Sequence, residues 1–329
     1  MEEYPSQPAA LPSAEAFDRL PHPVVYRRFP KFQDRRVRHV VLFVLTIAST
    51  TFAGAGHYQA FRSGFSATPS ALATSELLSG GLWYSLTILL ILGCHELGHY
   101  FACRYYDVDA SLPFFLPVPF VLTGTLGAFI RIREPIPSKR MLFDICIAGP
   151  IAGFIVAAPA LVLGLWLSNV IELPDPLPPF TLELGEPLLY KAASWAIWGA
   201  TPDGYTVNMH PVAFAAWFGL LATALNLFPI GQLDGGHISY AVLGRRSSYV
   251  TLVTLAVALV LAYFSSSWIV WTWLMIALLF FFGRHHPPTF DEHVPLGRGR
   301  LVLAACALLM FVLCFTPAPI EVLDVVRRP

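Results

Sequence analysis

Seven stretches of this chain are apolar for most of the length that a bilayer requires, at about 40–56, 82–103, 144–168, 211–230, 249–265, 268–283 and 301–317. A hydrocarbon core takes about 20 apolar residues in a helix. Lipid offers the backbone no hydrogen-bond partner, so a spanning segment must be a helix or part of a closed barrel. Charged residues make up only 13% of the chain, against about 25% in a soluble domain. The fold class expected is an all-α polytopic membrane protein with about seven transmembrane helices, surrounded by lipid. A formal net charge of zero gives no reason to expect a nucleic-acid partner.

Basic residues give the orientation, because they collect on the cytoplasmic side. Seven precede the first span (Arg19, Arg27, Arg28, Lys31, Arg35, Arg36, Arg38). Five lie between the second and third (Arg104, Arg131, Arg133, Lys139, Arg140). Arg245 and Arg246 follow the fourth span, and Arg284, Arg298 and Arg300 follow the sixth. Alternate loops thus hold 17 of the 21 Lys and Arg residues, and the N-terminus is expected in the cytoplasm. Residues 1–38 read as a flexible cytoplasmic tail with Glu2, Glu3, Glu15 and several prolines. They lack the apolar core of a signal peptide, and an acidic start is unlike a transit peptide. The location expected is the inner membrane of a bacterial cell. All five cysteines lie in apolar spans and read as small buried hydrophobes rather than disulfide partners.

The second span contains "ILGCHELGHYFAC", residues 91–103. Ionisable groups at membrane depth are costly and mark functional sites. On a helix, His95 and His99 are four residues apart and share a face. Two imidazoles so placed can hold one zinc ion, with Glu96 as the base for a water. A zinc-bound water has a pKa near 7. A hydrolytic zinc site needs a third protein ligand and an open fourth position. Asp234, in "NLFPIGQLDGG" at 226–236, is a candidate. The same "DGG" would also serve as a turn or helix cap, and Cys103, four residues beyond His99, is another possible ligand. The second and fourth spans both run inward, which brings the two motifs to the same side.

Together, His95-Glu96-x-x-His99 and Asn226-x-x-Pro229-x-x-x-x-Asp234-Gly235 resemble the site-2 protease family of intramembrane zinc metalloproteases. "GTLGAFIRIREPIP" (124–137) and "FDICIAGPIAG" (143–153) are similar to the family in style. The resemblance covers about residues 80–245 and is nearest to the subgroup without a PDZ domain that includes the plant gravitropism-deficient plastid proteases. It implies one zinc ion per chain on His95, His99 and Asp234, with Glu96 activating water. It also implies that Asn226 holds the substrate backbone or the oxyanion. The expected activity is endopeptidase cleavage of transmembrane segments of membrane-anchored proteins near the cytoplasmic face. Residues 39–245 would form the metalloprotease core, and 246–329 additional transmembrane helices with a C-terminal tail. A membrane metal transporter or sensor using the same His and Asp residues, or a non-catalytic member of the fold, is the alternative.

Residues 112–133 are apolar but interrupted by Pro113, Pro117 and Pro119, which disfavours a helix. Partial alternation from Thr125 to Arg133 predicts a strand in a re-entrant or interfacial β-hairpin near the zinc site. Its residues Gly127, Ala128 and Phe129 are candidates, with Asn226, for substrate binding by strand addition. Gly149, Ala152 and Gly153 in the third span predict close helix packing. Asp144 reads as a helix-terminus partner. The stretch 169–210 is expected outside, with an amphipathic run near 187–199.

Overall fold

The computed structural model describes residues 31–65, 71–119, 122–174, 181–264, 267–282 and 289–323. The expected tail up to residue 30 lies outside the described residues. From Asp34 onward the chain forms one compact unit. Its helices are α1 (Arg36–Ser63), α2 (Thr74–Tyr105), α3 (Lys139–Trp166), α4 (Leu188–Trp198), α5 (Pro211–Leu227), α6 (Asp234–Leu243), α7 (Ser247–Phe264), α8 (Ser267–Phe282) and α9 (Arg298–Cys314).

Each of the seven apolar stretches is helical, but not all are of spanning length. Among the described residues, four helical segments are long and apolar enough to cross a membrane: α1, α2, α3 and the continuous run Asp234–Phe264. Helices α5, α8 and α9 have 17, 16 and 17 residues. The windows at 211–230 and 301–317 run on through prolines where these helices have already ended. Phe228, just before Pro229, is extended with ψ 132°, because a residue preceding proline is pushed out of the helical region.

The core lies between α2, α3 and α5, where Tyr84, Ile88, Ile91, Leu161, Leu165, Trp217 and Leu220 are buried together. Helices cross there at small residues, as expected where lipid provides no hydrophobic drive between them. A Cβ on Gly81 of α2 would stand 2.3 Å from the Thr51 carbonyl oxygen of α1. One on Gly164 of α3 would stand 2.2 Å from the Ala213 nitrogen of α5.

The fold is mostly helical, as expected, with more strand than the one expected hairpin. Among the described residues, three two-stranded antiparallel sheets accompany the helices, formed by β1 (Phe114–Pro117) with β2 (Thr125–Phe129), β3 (Asn169–Glu172) with β5 (Tyr205–Asn208), and β4 (Thr181–Leu184) with β6 (Ile320–Leu323). The first is the hairpin expected from the prolines, with Phe115 opposite Ala128 and a register shift between Phe115 and Pro117. Its second strand is shorter than Thr125–Arg133. Beyond Phe129 an isolated bridge joins Ile132 to Ala110, with Ser111 N–H donating to the Arg131 carbonyl and Arg133 N–H to the Asp109 carbonyl, each at 2.9 Å. The other two sheets lie in and beside the stretch read as an outer loop. The amphipathic run there is α4.

Described loops assigned to the same side do meet. On one side, Asp34 contacts Arg133, Lys139 and Arg140 bond the 291–295 loop, and Arg300 pairs with Asp144. On the other, Arg62 lies 3.9 Å from Glu76, and Asn208 donates to the Phe61 carbonyl at 2.8 Å.

Candidate metal centre

His95 and His99 sit in about the last three turns of α2, one above the other, and both are buried, at 5% and 7% exposure. Asp234 opens α6. Its Oδ2 lies 3.3 Å from His95 Nε2 and 3.2 Å from His99 Nε2. The two Nε2 atoms are 3.1 Å apart. The three ligand atoms therefore form a nearly equilateral triangle. Among the described residues this is the one group of His, Cys, Asp and Glu side chains able to hold a metal ion.

The other nitrogen of His99 settles what faces that triangle. Nδ1 lies 2.7 Å from the Ile145 carbonyl oxygen, which can only accept, so Nδ1 carries a proton and Nε2 is the nitrogen that faces the triangle. Holding the second nitrogen of a ligating imidazole in this way is the usual outer support of a metal site. Three converging donor atoms so little exposed to water can hold a cation. A tetrahedral zinc ion with bonds of about 2.0–2.1 Å has ligand-to-ligand edges of about 3.3–3.4 Å. The observed edges of 3.1–3.3 Å fit it closely.

Two glycines of α3 make room for the imidazoles. A Cβ on Gly149 would lie 2.0 Å from His99 Nε2, and one on Gly153 would lie 3.2 Å from His95 Cβ. The small residues expected to serve helix packing therefore serve it around the His95 and His99 rings. That role was missed in the sequence, although the signal was there in glycines one turn apart on the neighbouring span. Gly235 and Gly236 admit the 227–231 backbone in the same way, each within 2.4 Å of a carbonyl oxygen through its absent Cβ.

Glu96 is 7% exposed, and the Ile130 backbone N–H lies beside its carboxylate. The end of the hairpin thus touches the candidate base. Asn226, near the end of α5, places its Nδ2 3.2 Å from His95 Nε2. Gly127 has φ 103°, and nothing lies within 4 Å of where its Cβ would be, so open space adjoins β2. Phe129 stacks on Phe114 with ring centroids 5.4 Å apart, and Ala128 packs against the core. Cys103 is fully buried but outside the triangle. Asp144 takes a two-pronged ion pair from Arg300 at 2.8 and 2.6 Å, with the Tyr106 hydroxyl as a further donor.

The sequence is similar to known proteins. The description "Peptidase family M50" matches residues 83–265, more than half of the chain.

The chain belongs to peptidase family M50.

M50 relatives include the "Probable zinc metalloprotease EGY2, chloroplastic" of Arabidopsis thaliana, 30% identical over 76% of this chain and 44% of the relative. The "Probable zinc metalloprotease EGY3, chloroplastic" of Oryza sativa subsp. indica is 31% identical over 82% of this chain and 47% of its own length. The "Probable zinc metalloprotease EGY1, chloroplastic" of Oryza sativa subsp. japonica is 36% identical over 49% of this chain and 28% of its own. The chain spans less than half the length of these relatives. No solved structure matches it significantly.

Proposed function

We propose that this chain is an intramembrane zinc endopeptidase that cleaves membrane-anchored proteins within or beside a transmembrane segment, near the cytoplasmic face. The observation that carries the reading is the metal-sized triangle of His95, His99 and Asp234 with the Glu96 carboxylate beside it. Zinc, when bound there, supplies the Lewis acidity that makes a water deprotonable near neutral pH. The carboxylate of Glu96 takes that proton and later delivers it to the leaving amine. The Asn226 amide donates toward the developing oxyanion or the adjoining substrate carbonyl. Such a donor is strong in a dry site.

A helical substrate must unwind before its peptide bond can be reached, and each unpaired backbone group in lipid costs several kcal/mol. The edge of β2 at Gly127, Ala128 and Phe129 offers replacement partners by strand addition. This reading places the hairpin at membrane depth as a re-entrant element, and it favours substrates with Gly, Pro, Asn or Ser near the scissile bond. It also includes about seven membrane crossings in residues 39–329. The alternating basic loops support an N-terminus on the cytoplasmic side of a bacterial membrane or, by the same asymmetry, on the stromal side of a plastid membrane.

The test uses the purified full chain in detergent and a single-span Leu/Ala peptide interrupted by Gly-Ser near one end. Cleavage should stop when a chelator removes zinc and return when zinc is restored. A chain that leaves the peptide intact yet carries zinc across a vesicle membrane would be a transporter instead.

A further inference from the structure

The hairpin beside Glu96 does not hold itself in place. Two short strands alone are marginally stable, and a glycine-containing edge specifies register weakly. Here the position of the hairpin is fixed from outside. At its base, the buried Asp34 carboxylate accepts from Leu112 N–H at 3.0 Å and pairs with Arg133, while His39 Nδ1–H donates to the Pro113 carbonyl at 3.0 Å. Near its tip, His57 Nε2–H donates to the Leu122 carbonyl at 2.8 Å, and the Tyr84 hydroxyl donates to the Thr123 carbonyl at 3.0 Å. Gly124, with φ 71°, rests on α1 so closely that a Cβ would stand 2.7 Å from the Ser49 carbonyl oxygen and Thr50 Cα.

Apart from Tyr84, every one of these anchors is in α1 or just before it. They lie outside the residues matched by family M50, 83–265, and no metal ligand comes from α1. We propose that α1 is the register element of the site. By fixing both ends of the hairpin against α2, it decides which peptide bond of an added substrate strand lies opposite Glu96. His57 and Tyr84 are positioning residues in this scheme. A shift of the hairpin by one strand residue moves the chain by about 3.3 Å and presents a different bond. The inference rests on the endopeptidase reading above.

The readout is the position of the cut, which a merely structural contact would not move. Full-length wild-type and variant chains, zinc-loaded in detergent, are given the Gly-Ser-interrupted single-span peptide, and the products are weighed by mass spectrometry. The double variant His57→Phe/Tyr84→Phe deletes both donors. It keeps an aromatic ring at each position, where the His57 ring packs 4.8 Å from Tyr84 and 4.2 Å from Phe214. Wild type should cut mainly at one bond. In the double variant, zinc should be retained and preference for that bond should fall roughly tenfold, within the range that two neutral hydrogen bonds represent. His57→Gln, which restores a donor, should return the single cut. If the double variant does not fold, Tyr84→Phe alone must broaden the products in the same direction. A zinc-bearing variant that cuts only the wild-type bond, at any rate, overturns the inference and leaves the protease reading intact. Failure of the wild type to cut overturns both.

Discussion

At the scale of single residues, the site depends on two atoms the chain leaves out as much as on the ligands it supplies. Asp234→Ala removes one corner of the triangle. Purified protein should then lose most of its zinc, measured by elemental analysis per chain; full retention would point to another ligand such as Cys103. Gly149→Ala removes no ligand, but its Cβ would fall 2.0 Å from His99 Nε2. His99 cannot swing away without losing the Ile145 carbonyl. Zinc affinity should fall by at least the 10- to 100-fold typical of lost outer support, measured by competition with a chromogenic chelator. Unchanged affinity would show that α3 gives way. The metal motif was legible because its residues are four apart on one helix and ionisable groups stand out in an apolar span. The partners of Gly149 and Asp144 were not. His99 and Arg300 reach them across 50 and 156 positions of sequence, and no local pattern encodes such meetings.

At the scale of elements, the hairpin was legible from three prolines that forbid a helix and two glycines that permit a turn and a bulge. Sheets β3–β5 and β4–β6 were not, since each pairs four-residue strands far apart in sequence and too short to show a period. Ala128→Pro in β2 should impair peptide cleavage while zinc content stays unchanged, because proline deletes an N–H donor and fixes φ. Full activity in the folded variant would remove the strand from substrate binding.

The 289–297 loop acts on α3 through Asp291, whose carboxylate accepts from Lys139 N–H at 2.6 Å and from the Ser138 hydroxyl at 2.7 Å. Burial pushes the Asp291 carboxyl up, but these donors outweigh it and hold its pKa below the ordinary carboxylate value. A depressed pKa adds stability above the unfolded value of about 3.9 and loses it as pH falls through the folded one. Asp291→Asn should therefore lower the midpoint of thermal unfolding near pH 7, and the gap from wild type should close below about pH 4. A gap that widened in acid would contradict the assignment.

At the scale of the whole molecule, helices from four separated parts of the chain converge on one buried place. α2 brings His95, Glu96 and His99, α3 the glycines, α5 Asn226, and α6 Asp234, while the hairpin reaches Glu96 through Ile130. The order of the helices was legible in outline because long apolar runs stand out in the sequence. The shorter helices were not, because apolar windows run past the prolines that end them. Hydrolysis at this convergence with Glu96 as the base is the proposed activity, and one comparison decides it. Wild-type and Glu96→Gln chains are loaded with zinc, their metal content is measured, and each is given the same single-span peptide. The account predicts equal zinc and a cleavage rate lower by about 10²–10⁴-fold in the variant, the usual contribution of a positioned base. A Glu96→Gln chain that holds zinc and cuts at the wild-type rate would contradict it.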